Sequence, residues 1–317
     1  MKLTLAFLQL VRWPNLLFII ITQLLFYYCI IFPILPPNYF QLPYALNAWI
    51  LYLLIAASVC IAAGGYIIND YFDINIDQVN KPEKRIVEKI IKRRTAILLH
   101  WFFTLAGIAF SIYVSLHTNF IIVLANIGCA VLLWFYSTSF KKKLLSGNII
   151  ISALTAWTIV VLYFAVNPIY QIPHFQSYQM QTAMKAIFKF TALYAGFAFI
   201  ISLIREVVKD MEDMEGDARY GCKTMPIVWG VQATKVFAAV WLVVLIGAIA
   251  IVQFYVLHSG WWWSALYSLL LLVGPLLWLL NQLYKAQNNK DFHVISKAIK
   301  MIMLVGLLSM YILQFYL

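Results

Sequence analysis

The chain has 317 residues, 64% of them hydrophobic and only 11% charged, with a net charge of +11 and a mean hydropathy of +0.85. Water-soluble domains are about half apolar and about a quarter charged, so this composition excludes a soluble globule. The basic excess is split among short loops with no accompanying nucleic-acid motif, which excludes a nucleic-acid partner.

Apolar runs of roughly the 20 residues that cross a bilayer recur along the whole sequence. Only helices and closed barrels satisfy their backbone in lipid, and continuously apolar rather than alternating runs predict helices. Nine spans are expected, roughly Leu16–Phe32, Ala45–Ile68, Ala96–Leu116, Asn119–Phe135, Ile149–Val166, Ala186–Ile204, Thr234–Leu257, Trp263–Leu280 and Ala298–Phe315. Arg12 and Pro14 precede the first and no small-residue cleavage site follows it, so it reads as a retained span and not a signal peptide. The expected architecture is all-α: a single transmembrane domain over residues 1–317, with about nine helices bundled around a central cavity.

The cations sort by loop. Lys81, Lys84, Arg85, Lys89, Lys92, Arg93 and Arg94 lie between spans two and three, and Lys141, Lys142 and Lys143 between four and five. Arg205, Lys209, Arg219 and Lys223 lie between six and seven; Lys285 and Lys290 lie between eight and nine, with Lys297 at the edge of span nine. Lys2 and Arg12 precede span one, and the opposite loops are nearly bare of cations except Lys185 and Lys189, near the start of span six. The positive-inside rule then puts the N-terminus and these loops in the cytoplasm and the C-terminus outside. In a bacterial cell the membrane would be the inner one. The basic face also attracts anionic lipid. Cys29, Cys60, Cys129 and Cys222 are scattered without a C-x-x-C pair, and the histidines lack i, i+4 partners, so neither a disulfide framework nor a zinc site is expected.

The 12 acidic residues carry the strongest signal. Asp70, Asp73, Asp77, Glu83 and Glu88 fall between spans two and three; Glu206, Asp210, Glu212, Asp213, Glu215 and Asp217 fall between six and seven; only Asp291 lies elsewhere. Asp70, Asp73 and Asp77 are spaced i, i+3, i+7, and Asp210, Asp213 and Asp217 repeat that spacing. On a continuous helix each trio occupies a stripe of roughly 60°. Each follows the end of a span, so the helix is expected to run through it. Like charges at this spacing repel, and two such stripes call for a cation between them. The candidate ligands are all hard oxygens, which points to Mg2+, an ion that takes one or two carboxylates together with substrate phosphates. Nearby Lys and Arg suit a diphosphate. The competing reading is that the acids merely pair with those cations across the loops. The trios are four spans apart, so two four-helix halves plus a ninth helix would set them across a shared cavity.

The run NDYFDINIDQVNKPEKR, Asn69 to Arg85, resembles the first aspartate motif of the UbiA-type intramembrane prenyltransferases. The run REVVKDMEDMEGDARYGCKTMPIVWG, Arg205 to Gly230, resembles their second. RWPN at Arg12–Asn15, YSTSFK at Tyr136–Lys141 and GN at Gly147–Asn148 match smaller family features, and the resemblance covers most of the chain. It implies metal and diphosphate binding by Asn69, Asp73, Asp77, Asp213 and Asp217, the four aspartates being the catalytic ones; the spacing adds Asp70 and Asp210 to the metal set. It further implies substrate contacts from Asn15, Asn69, Lys141, Lys209 and Lys223. The second proline of the family pattern after motif one is absent, which leaves Lys84 and Arg85 as alternatives for the diphosphate. Tyr136 ends span four beside Lys141–Lys143 and reads either as a contact to the diphosphate or cation, or as an interfacial anchor. Within the family the second motif is most similar to the branch that transfers geranylgeranyl to geranylgeranylglyceryl phosphate.

The implied chemistry is Mg2+-assisted ionisation of an allylic diphosphate and capture of the carbocation by an acceptor. The acceptor atom is a hydroxyl in a lipid, or an aromatic carbon in a quinone precursor such as 4-hydroxybenzoate or 1,4-dihydroxy-2-naphthoate. The aromatic residues, 16% of the chain, suit a tunnel that shields the cation or, as for Trp261–Trp263, interfacial anchors. An acceptor with its own phosphate needs a second basic site, for which Lys141–Lys143 and Lys223 are the candidates. The expected partners are a prenyl diphosphate, a lipid or aromatic acceptor and membrane lipids, with no obligate protein partner. A transporter is the competing class. It would carry ionisable residues at mid-membrane on broken helices, whereas here the acids cluster at one face.

Overall fold

The computed structural model describes residues 2–42, 45–80, 86–167 and 178–317. Among the described residues the regular structure is helical, apart from one isolated bridge between Val87 and Ile91. Nine helices among them are long and apolar enough to cross a membrane: α1 Trp13–Ile34, α2 Ala48–Phe72, α3 Arg93–His117, α4 Ile121–Thr138, α5 Ser146–Val166, α6 Tyr178–Glu212, α7 Gly230–His258, α8 Trp262–Lys285 and α9 Asn289–Tyr316. Each corresponds to one expected span. The helices overrun the apolar stretches because a helix does not stop where lipid stops. α6 continues past Ile204 through Arg205, Glu206 and Lys209, all good helix formers, to Glu212.

The chain divides into two compact units. The first comprises Met1–Tyr27, Ile34–Phe140 and Trp157–Ala192; the second comprises Tyr28–Pro33, Lys141–Ala156 and Leu193–Leu317. These are not the expected four-helix halves. The first gathers α2, α3 and α4 with parts of α1, α5 and α6, and the second gathers α7, α8 and α9 with the remainder.

In the first unit α2 and α3 approach closely because small residues meet. A Cβ at Gly107 would lie 3.0 Å from the Ala57 carbonyl oxygen and 2.7 Å from Ile61 Cγ1, and one at Gly64 would lie 2.5 Å from Thr104 Oγ1. His100 Nδ1 donates to the Gly64 carbonyl at 2.9 Å. Without a hydrophobic drive between helices in lipid, such packing and interhelical hydrogen bonds are what hold them. Two buried polar links do the same deeper in the unit. Asn126 donates to Ser111 Oγ at 2.8 Å and accepts from Trp157 Nε1 at 2.9 Å. Gln23 Nε2 donates to Ser58 Oγ and to the Thr158 carbonyl, both at 3.0 Å. α2 is well enclosed, with 56% of its most apolar stretch buried against 22% for α4. Leu98, Trp101, Phe102 and Leu105 of α3 stay exposed, as a lipid-facing surface requires.

In the second unit Val207, Val208 and Met211 of α6 pack with Leu242 and Leu245 of α7, Leu276 and Leu279 of α8, and Ile295 and Ile299 of α9. The Lys235 ammonium donates to the carbonyls of Tyr284 at 2.8 Å and Ala286 at 2.9 Å, closing the C-terminal end of α8 with a cation where the helix dipole favours one. Two π-helical stretches, Phe26–Ile31 in α1 and Leu269–Val273 in α8, each end two residues before a proline, Pro33 and Pro275. A proline has no N–H for the preceding turn, and the helix widens ahead of it.

Candidate active site

Motif one lies in the first unit. α2 starts at Asn47, whose Oδ1 accepts from the Ile50 N–H at 3.0 Å, and carries Asn69 and Asp70 in its last turn. The helix was expected to run through the trio; instead it breaks at Asp73, where φ is −89° and ψ is 1°. A second short helix, Ile74–Asn80, follows. The hydrogen-bond ladder nevertheless bridges the break, Asp73 N to Asn69 O at 3.0 Å and Asp77 N to Asp73 O at 2.8 Å. Ile74 and Ile76 are buried, Ile74 among Ile67, Ile86, Val87 and Ile91. That apolar anchoring turns the chain at Asp73 and leaves Asp73 and Asp77 half-exposed.

Motif two, in the second unit, repeats this geometry. α6 ends at Glu212, and Asp213 occupies the break with φ −96° and ψ 6°. Met214–Arg219 forms the second helix, and Asp213 N to Lys209 O at 2.9 Å and Asp217 N to Asp213 O at 3.2 Å continue the ladder. In both motifs the middle aspartate therefore holds the sparsely populated bridge conformation common among active-site residues. Gly221, at φ 72°, then reverses the chain in the left-handed conformation that glycine tolerates. Gly221 N bonds Ala218 O at 3.2 Å and Cys222 N bonds Asp217 O at 2.9 Å, the two bonds of a Schellman cap. The turn delivers Lys223, whose N–H donates to the Lys142 carbonyl at 2.7 Å. The two basic loops of this unit are thereby joined.

The first aspartate of each trio is held by another part of the chain. The Arg12 guanidinium donates to Asp70 Oδ1 at 2.6 Å. Arg12 itself is left-handed, φ 52° and ψ 53°, and lies 5.1 Å over the Tyr66 ring; burial opposes its charge, and Asp70, Tyr66 and Asp73 together outweigh that burial and hold it protonated. Asn148 Nδ2 donates to Asp210 Oδ2 at 2.8 Å. Both partners come from the small matching segments, RWPN and GN, to which spacing alone assigned no role.

Asn69 completes motif one. Its Nδ2 donates to Asp73 Oδ2 at 2.8 Å, while its Oδ1 is buried without a hydrogen-bond partner. Both motifs offer only oxygen donors. Among the described residues no three His, Cys, Asp or Glu side chains converge into a ready-made metal cage. Asn15 is half-buried in the first turn of α1, its N–H bonded to Arg12 O at 2.7 Å. Tyr136 is half-buried in the last turn of α4, and Lys141 is the middle residue of the short 3-10 turn Phe140–Lys142 beyond it. Lys84 and Arg85 lie outside the described residues.

One group escaped the sequence reading. Glu206 is buried and bridges two cations, Arg205 Nη1 at 2.8 Å and Lys209 Nζ at 3.3 Å. Lys300, inside α9, lies within range of the charges of Arg205 and Lys209. Its signal was available: it is a lysine near the start of an apolar span, where charged residues are rare.

Among the described residues, nine candidate spans and two broken-helix aspartate motifs define a polytopic α-helical membrane protein with an acidic motif in each unit. The model of the UbiA prenyltransferase family matches residues 30–304, and the chain belongs to that family. A digeranylgeranylglyceryl phosphate synthase of Methanosphaera stadtmanae is 27% identical over 263 residues, covering 81% of this chain and 86% of that one. Its counterpart in Methanothermobacter thermautotrophicus is 31% identical over 255 residues, covering 78% and 79%. A solved structure concerned with digeranylgeranylglyceryl phosphate synthase in membranes is similar with a TM-score of 0.62 at 24% identity over 100% of both chains. A UbiA homolog from Archaeoglobus fulgidus bound to GPP and Mg2+ is similar with a TM-score of 0.56 at 14% identity, over 96% of this chain and 99% of that one. At those identities the solved structures establish the fold. The protein is an integral, multi-pass membrane prenyltransferase.

Proposed function

We propose that the protein transfers a geranylgeranyl group from its diphosphate to geranylgeranylglyceryl phosphate, with Mg2+, at the cytoplasmic face. The relatives named as digeranylgeranylglyceryl phosphate synthases support the lipid acceptor. The cation-rich loops that carry both motifs support the sidedness. Residues 1–317 act as one prenyltransferase domain, a reading favoured by a family match that runs across both units.

The observation that carries the reading is the orphaned Asn69 Oδ1 beside Asp73. A buried carbonyl oxygen without a donor is costly, and a cation relieves it. Asn69, Asp73 and Asp77 in motif one are hard oxygens of the kind Mg2+ takes when it arrives with a diphosphate, and Asp213 and Asp217 in motif two offer the same chemistry. These residues fit the ion and would hold it. When bound, it supplies positive charge to the leaving diphosphate. The prenyl C1–O bond breaks with its electron pair leaving on the diphosphate, and the allylic carbocation is captured by the glycerol hydroxyl. An ether forms and the hydroxyl proton is released. The Asn69 amide fixes Asp73, and the breaks at Asp73 and Asp213 aim the middle carboxylates. Lys209 and Lys223 add charge for the phosphates, and Lys84 or Arg85 joins them.

The test is product mass. Purified protein is incubated with Mg2+, labelled geranylgeranyl diphosphate and a panel of acceptors. The expected product is an alkali-stable ether of geranylgeranylglyceryl phosphate. Prenylation of 4-hydroxybenzoate or 1,4-dihydroxy-2-naphthoate with the lipid ignored would overturn the acceptor assignment and leave the family standing.

A further inference from the structure

We propose that His293 is a positioning residue for motif two: by holding Glu212 it fixes the helix break that aims Asp213, an inference that rests on the reading of motif two as a metal site above. His293 Nδ1 donates to Glu212 Oε1 at 2.6 Å. Glu212 is the last residue of α6, and Asp213 follows it in the break. At about 100° per residue, Glu212 points roughly 200° around α6 from Asp210. Its carboxylate is thus held on the opposite side of the helix from the start of the aspartate trio. Acidic residues crowd this segment: Glu206, Asp210, Glu212, Asp213, Glu215 and Asp217 lie within twelve residues, and like charges so close repel. Those outside the proposed ligand set are accounted for one by one. Glu206 is tied to Arg205 and Lys209, Asp210 to Asn148 and Glu212 to His293, and Glu215 is exposed to solvent.

The donor stands on a rigid support. His293 is the fifth residue of α9, and the turn that leads into that helix is fixed by side chains. Asp291 Oδ2 accepts from the N–H groups of Gln287 at 2.9 Å and Asn288 at 3.1 Å, as the acidic member of a capping box. Lys235 holds the Tyr284 and Ala286 carbonyls just before it. Phe292, beside His293, belongs to the same buried apolar cluster as Met211, beside Glu212, together with Val208 and Ile295. The ends of the two helices are therefore joined by apolar packing and, one residue along on each, by a hydrogen bond. Apolar packing is non-directional, whereas a hydrogen bond has a set length and angle. The His293–Glu212 bond supplies what packing lacks, a fixed exit angle for the chain as it leaves α6 and enters the bridge conformation at Asp213. The Glu212 side chain is 13% exposed and that of His293 39%, so substituting His293 removes the donor without opening a hole in the core.

The experiment compares wild type with His293→Ala, His293→Asn, His293→Gln and Asp213→Asn as full-length protein in nanodiscs. Amide hydrogen exchange is followed by mass spectrometry over Asp213–Cys222 and over Ile74–Asn80. Binding of Mn2+, as the probe for Mg2+, is measured by electron paramagnetic resonance with inorganic pyrophosphate present. In His293→Ala, exchange over Asp213–Cys222 should quicken by about tenfold and Mn2+ affinity should fall by about tenfold, with exchange over Ile74–Asn80 unchanged. His293→Asn carries its amide nitrogen on Cγ, where the ring carries Nδ1, and should restore both; His293→Gln carries it one carbon farther out and should not. That contrast decides the matter if His293→Ala fails to fold. Wild-type exchange in His293→Ala, or faster exchange with Mn2+ affinity intact, would reduce the pair to a brace of the fold and overturn the proposal, as would equal behaviour of the Asn and Gln variants. Unaltered Mn2+ affinity in Asp213→Asn would instead defeat the reading of motif two as a metal site, whatever the His293 variants do.

Discussion

Asp70 and Asp73 are three residues apart, yet the structure gives them different company. Asp70 is paired with Arg12, 58 residues earlier, and Asp210 with Asn148, 62 residues earlier. Asp73 instead accepts from Asn69, whose own oxygen is orphaned. In the proposed site the first aspartate of each trio ties the end of its helix to another segment, and the second and third are the carboxylates offered to the metal. Asp70→Asn and Asp210→Asn should lower the thermal unfolding temperature and reduce turnover, while the Mg2+ concentration for half-maximal rate stays where it is. The Arg12–Asp70 pair is partly exposed, so its coupling in a double-mutant cycle should be only about 1 kcal/mol. A shift of the Mg2+ requirement in either variant would return Asp70 and Asp210 to the ligand set that the i, i+3, i+7 spacing assigned them. The pairings themselves were not legible in the sequence. RWPN and GN stood out as matching segments, but nothing local specifies a partner some sixty residues away.

At the scale of elements, close packing of α2 on α3 supports motif one and the Schellman turn supports motif two. Gly107→Val places new methyls against the Ala57 carbonyl, which already stands 3.0 Å from an ideal Cβ. Overpacking of this kind costs about 1–3 kcal/mol, so the variant should unfold at lower temperature in detergent. Normal stability would mean that the helix contact is looser than described. Gly221→Ala forces a side chain into φ 72° and should cost about 1 kcal/mol, with a larger effect on turnover than on expression because Lys223 is carried on that turn. The break at the middle aspartate was hidden from spacing analysis, since i, i+3, i+7 fits an unbroken helix equally well. What breaks it is tertiary: Ile74 and Ile76 are buried and turn the chain at Asp73. The overrun of α6 to Glu212 was missed for a related reason, because hydropathy marks where lipid ends and says nothing of where a charged but helix-favouring segment stops.

For the whole molecule, the nine candidate spans among the described residues were legible because the bilayer demands an apolar run for each crossing, and the clustering of acids at two loops marked the candidate site. Lys300 was passed over because a single cation hardly alters the hydropathy of its run. The loop charges also fix an expected orientation. Cysteines introduced at Gln78 and Gly216 should react with a membrane-impermeant reagent from the cytoplasmic side, and one at Ser259, in the turn between α7 and α8, only from the other. Labelling of Gln78 and Gly216 from opposite sides would contradict the topology. The central claim is that the two broken-helix aspartate motifs hold the metal and the diphosphate. It is tested most directly by following pyrophosphate release from geranylgeranyl diphosphate, with geranylgeranylglyceryl phosphate as acceptor and Mg2+ varied, for wild type, Asp73→Asn and Asp213→Asn matched for unfolding temperature. Each substitution should reduce release by about a hundredfold or more while the protein stays folded; near-normal release from either folded variant at saturating Mg2+ would contradict the account.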